Sequence, residues 1–113
     1  MKLPMLATVF AAFALPALAD ASGADITAAI EGNTVQGSMA SGDAYAEFYE
    51  AGGTIKADGY GGTWSIEGDT MCFDYGEGAT CYGVRIDGDQ VTWVLDGADD
   101  GTGTIVAGKP NEF

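Results

Sequence analysis

Twice, twenty residues apart, the chain writes an isoleucine, an acid, Gly-Asp, a polar residue and an apolar one. The copies run from Ile66 to Met71 and from Ile86 to Val91. Glycine opening a two-residue connection suits a type II′ turn, whose twist matches that of the strands it joins. With Gly68-Asp69 as one loop, Ile66 faces Met71 and Trp64 faces Phe73. With Gly88-Asp89 as the other, Ile86 faces Val91, Val84 faces Trp93 and Tyr82 faces Leu95. Both hairpins then gather their large apolar residues on one face. The phrase specifies antiparallel pairing.

Glycines recur roughly every eight to twelve residues, with short alternating runs between them, which is the pattern of a β-meander. Eight strands are expected, over 34–39, 43–50, 53–58, 62–67, 69–75, 79–86, 89–95 and 102–107. Continuing the register backwards sets Val35 against Phe48, Met39 against Ala44, Phe48 against Ile55 and Ile55 against Trp64 on the core side. Glu47 then meets Lys56 on the outer side, a favourable cross-strand pair. Around Gly76-Glu77, Met71 meets Tyr82, and Cys72 meets Cys81 on the outer face. Before the strands, Ser22 and Asp25 form a capping box, Ile26, Ala29 and Ile30 an apolar stripe, and Gly32 a stop. The expected fold is all-β: an antiparallel meander of about eight short strands in a small packed barrel, or a sandwich, with one short N-terminal helix. Two tryptophans and two phenylalanines on the core face leave little space inside an eight-stranded barrel.

The first 19 residues read as a cleaved export signal. Lys2 precedes an apolar stretch from Leu3 to Leu15, and Ala17-Leu18-Ala19 ends in small residues before Asp20. Residues 20–113 then form one domain, periplasmic or secreted, with no membrane insertion. That part holds three basic residues against all 17 acids, a net charge of −14. Such a charge repels nucleic acid and favours a basic protein partner, or simply solubility. Its two cysteines, in an oxidising compartment, read as one Cys72–Cys81 disulfide.

The chain contains no histidine, which removes the usual general base and imidazole metal sites. Carboxylates such as Glu47 and Asp74 fall on the expected outer face, so no catalytic residue is assigned and no enzyme is expected. The run Asp96 to Gly103 offers Asp96, Asp99 and Asp100 as weak calcium ligands, without the closing acid that a calcium loop needs. No metal and no cofactor are expected. Tyr45 and Tyr49 share the outer face with Glu47; as an exposed aromatic ridge they are the candidate binding surface, and as ordinary strand formers they would be covered.

"GNTVQG" at 32–37, "GTWSIEGD" at 62–69, the two cysteines, "IDGD" at 86–89 and "GTIVAG" at 103–108 resemble a group of small exported proteins from alphaproteobacteria. The resemblance implies export, β structure and the disulfide, and nothing about activity. The expected function is a monomeric, non-enzymatic binding domain that meets a protein partner through its outer surface. The alternatives are a small-molecule carrier with a calycin-like barrel and an inhibitor of a basic periplasmic enzyme.

Overall fold

The computed structural model describes residues 20–110, so the expected export signal at 1–19 lies outside the described residues. Helix α1 (Gly23–Ile30) precedes β1 (Asn33–Met39), β2 (Ala44–Glu50), β3 (Thr54–Ala57) and β4 (Tyr60–Glu67). There follow β5 (Thr70–Asp74), β6 (Ala79–Asp87), β7 (Gln90–Leu95) and β8 (Ala98–Ala107). Each strand pairs with the next, and β8 returns to pair with β1, so the sheet is a closed antiparallel barrel. Closure settles the choice between barrel and sandwich and leaves no edge strand.

The two hairpins of the repeated phrase form as their spacing dictates. Trp64 pairs with Phe73 and Ile66 with Met71, while Val84 pairs with Trp93 and Ile86 with Val91. Gly68 and Gly88 have φ of 60° and 62°, whereas Asp69 and Asp89 are not in the left-handed region. Positive φ at the first loop position only is the type II′ pattern. Between these hairpins Met71 pairs with Tyr82, and Cys72 is disulfide-bonded to the directly opposed Cys81.

The N-terminal strands depart from the expected register. Tyr49 rather than Phe48 opposes Ile55, and Val35 opposes Glu47. The β2–β3 connection is three residues long, with Glu50 paired to Thr54, not the expected two. One extra loop residue turns the whole of β2 over, because side chains alternate with a period of two. Phe48 faces outward beside Lys56, and Lys56 pairs instead with Glu50 at 3.1 Å. The β3–β4 pairing is shifted by two residues, Ile55 meeting Gly62, which leaves Trp64 on the inside. Strand β8 begins earlier than expected because Asp96-Gly97, with φ of 52° and 82°, makes a two-residue turn of type I′ between Leu95 and Ala98.

Helix α1 seals one end of the barrel. Ile26 and Ile30 are fully buried against Val35, Ile55, Met71, Val84 and Val91 in one cluster. The Ser22 hydroxyl accepts from the Asp25 amide at 3.1 Å, as a cap should. A second acceptor comes from the barrel itself: Asp69 Oδ1 takes the Gly23 amide at 2.9 Å. The chain is also tied in before and after the helix, by Ala21 N–H to the Val84 carbonyl and Gly32 N–H to the Tyr49 carbonyl, each 2.7 Å. No helix among the described residues is long and apolar enough to cross a membrane.

Candidate functional site: an aromatic cavity around a buried carboxylate

The register of β2 decides the site. Its inward row is Tyr45, Glu47, Tyr49, and Glu47 is only 5% exposed. The expectation of an outward ridge of Tyr45 and Tyr49 beside an exposed Glu47 is therefore corrected. The large hydrophobic side chains left exposed among the described residues are Tyr60, Tyr75 and Val106, and the two tyrosines belong to the barrel mouth.

Burying a carboxylate requires that its oxygens be hydrogen-bonded. Here phenols do this. Oε1 accepts from the Tyr49 hydroxyl at 2.7 Å and the Tyr75 hydroxyl at 2.8 Å. Oε2 accepts from the Tyr60 hydroxyl at 2.6 Å and again from Tyr75 at 3.0 Å. The donors come from β2, the start of β4 and the residue that follows β5. Among the described residues the ion pairs are Lys56–Glu50, Arg85–Asp20 and Arg85–Asp99, and none includes Glu47.

The phenols are held neutral. Burial raises the Tyr49, Tyr60 and Tyr75 pKa values, and the neighbouring Glu47 charge and the hydrogen bonds to it raise them further. Tyr45 is pushed up to about 12, chiefly by burial. Tyr82 is also raised, by burial and then by Asp100. Neutral tyrosines keep their protons for donation, which is what the carboxylate needs.

Around this centre lies a cavity of about 590 Å³, open at the end opposite α1. Its walls include Tyr45, Phe73, Tyr82 and Trp93, with Met39, Asp43, Glu77 and Thr80 toward the mouth. The rings lock each other at steep angles: Phe73 to Trp93 at 5.3 Å and 89°, Phe73 to Tyr82 at 5.5 Å and 81°. Trp93 Nε1 donates to the Tyr45 hydroxyl at 2.8 Å, and that hydroxyl donates to the Thr102 carbonyl at 2.9 Å. Room for Tyr45 and Trp93 comes from β8, whose inward positions near the mouth are Gly101 and Gly103. A methyl on Gly103 would collide with the Tyr45 hydroxyl and with Val35. The barrel is therefore packed in its helix-side half and hollow at the other, where the sequence led us to expect packing throughout.

The weak calcium candidates are not brought together. Asp96 lies in the β7–β8 turn, Asp99 is bound outward to the Arg85 guanidinium, and Asp100 faces Tyr82. No group of three or more metal-ligating side chains forms among the described residues.

Compared with known proteins, the chain matches no family model, no curated protein and no solved structure. What the site can do is read from its own chemistry.

Proposed function

We propose that this protein is an exported, non-enzymatic carrier that holds a small molecule inside its barrel. The observation behind this reading is the cavity: about 590 Å³, open at one end, walled by aromatic rings, with one buried carboxylate. Ligand sites are typically of roughly 300–1,000 Å³, mostly apolar, with a few placed polar groups. The outer surface, by contrast, offers no aromatic ridge among the described residues, which takes away the support for a protein-docking face. A carrier is favoured over an enzyme because the Glu47 oxygens are committed to three phenols and the chain has no histidine. The disulfide, joining β5 to β6 beneath the mouth, accords with an oxidising compartment.

Binding of the neutral, apolar fluorophore N-phenyl-1-naphthylamine tests this reading. One molecule should enter per barrel, with energy transfer from Trp93. Thr80→Trp, which places an indole on the cavity wall, should abolish the signal while leaving the melting temperature unchanged. Undiminished binding to that variant would locate the probe on the surface and sink the proposal.

A further inference from the structure

Glu47 offers a charge but little hydrogen bonding, and that combination points to a ligand class. A carboxylate has about four lone-pair sites. The phenols of Tyr49, Tyr60 and Tyr75 make four contacts to its two oxygens. An N–H donor entering the cavity would find those sites taken. A cation without N–H groups loses nothing by this.

The remaining walls suit such a cation. The ionisable acids lining the cavity are Asp43, Glu47 and Glu77, and no basic residue lines it among those described. Lys56 and Arg85 point outward into their ion pairs, and Lys109 follows β8 at the helix-capped end. The field inside is therefore negative, so it repels anions and raises the local concentration of cations. Aromatic faces attract cations electrostatically, and more strongly where water is excluded. Tyr45, Tyr60, Phe73, Tyr75, Tyr82 and Trp93 supply those faces.

Resting on the carrier reading above, we infer that the ligand is a quaternary ammonium compound, its alkylated nitrogen seated among the rings beside Glu47. The acidic mouth, with Asp43 and Glu77, draws it in. The cavity has space beyond the ammonium group for a larger substituent.

Choline, 3,3-dimethylbutan-1-ol and 2-aminoethanol make the test, because they share a hydroxyethyl arm and differ in charge and N–H content. Titration calorimetry on the oxidised protein should show choline binding at least about tenfold more tightly than either analogue. Glu47→Gln keeps an acceptor and a similar volume but removes the charge, and it should erase the preference for choline over the neutral alcohol. Tyr60→Phe, at a half-exposed position, frees one acceptor site and should shift preference toward 2-aminoethanol. Equal binding of choline and 3,3-dimethylbutan-1-ol would overturn the inference while leaving the carrier reading intact. Stronger binding of 2-aminoethanol by the parent would overturn it too. Should all three fail together with N-phenyl-1-naphthylamine, the carrier reading itself falls.

Discussion

The two ends of this barrel are built from the same strands and solve opposite problems. At the helix end, aliphatic side chains meet Ile26 and Ile30, and the polar groups in need of partners are backbone amides. At the mouth, the inward row consists of phenols, an indole and a carboxylate that satisfy one another. Strand β2 crosses from one regime to the other within five residues, from Tyr49 through Glu47 to Tyr45. The stable end fills space; the open end keeps space by tying each side chain to a partner. An aromatic wall can surround a cavity without collapsing into it when its hydroxyls are anchored.

If that contrast is right, alkali should attack the mouth and spare the plug. All five tyrosines line the cavity, Tyr49 at its inner end where it joins the core cluster, and each is raised above its ordinary value of 10.0. The unfolded chain would ionise first, so the stability these phenols contribute is fully present below about pH 10 and is lost as pH climbs through the folded values. For Tyr45 that value is about 12. Phenolate absorbance at 295 nm should appear late and together with loss of near-ultraviolet circular dichroism. Free titration near pH 10 with the dichroism intact would show the hydroxyls to be unanchored.

Shortening Ile26 to alanine strikes the plug. Its fully buried side chain gives an expected cost of about 3 kcal/mol in urea melts, with the affinity for N-phenyl-1-naphthylamine unchanged in the folded fraction. A parallel loss of affinity would mean that the ends are not separable. Tyr49→Phe, which removes a buried donor from Glu47, should cost about 2 kcal/mol by the same melts, because hydrogen bonds to charged groups exceed the ordinary range. A cost close to zero would show Glu47 to be satisfied without it.

The smallest effect separates the two copies of the repeated phrase. Asp69 caps α1, whereas the Asp89 side chain accepts from its neighbour Gln90 and, among the described residues, from no part of the helix. Asp69→Ala should therefore destabilise by about 1 kcal/mol, the usual worth of an N-terminal cap. Asp89→Ala should change little. Identical melts for the two would remove the tertiary cap from the account.

These residues also show how far the sequence could be read. From Trp64 to Trp93 every hairpin had a two-residue turn signal or a cysteine pair to fix its register, and the pairings there follow it. Strand β2 had no such anchor. Its six letters Tyr45 to Glu50 place an aromatic on either face, and preferring Phe48 inside and Glu47 outside looks sound while the acid is treated alone. The overlooked signal was alternation: Tyr45, Glu47 and Tyr49 share one face, and Tyr75 shares the face of Met71 and Phe73. An acid among inward hydroxyls can be buried, because its partners are supplied by strands far along the chain. That compensation is tertiary, and local pattern is blind to it. The Asp96-Gly97 turn was legible as a type I′ signal, but it was masked by the acids around it.

Closure of β1 on β8 has a consequence in time. Tyr45 rests on the Thr102 carbonyl and in the space left by Gly103, 57 and 58 positions further along. A chain made from its N-terminus can form the helix and the middle hairpins early, yet it has no finished cavity until its final strand arrives. Until then β1 and β7 both present open edges, the state in which β-proteins stick to one another. The last ten-residue strand therefore works as a completion signal: the molecule closes its cavity wall and covers its open edges in the same event.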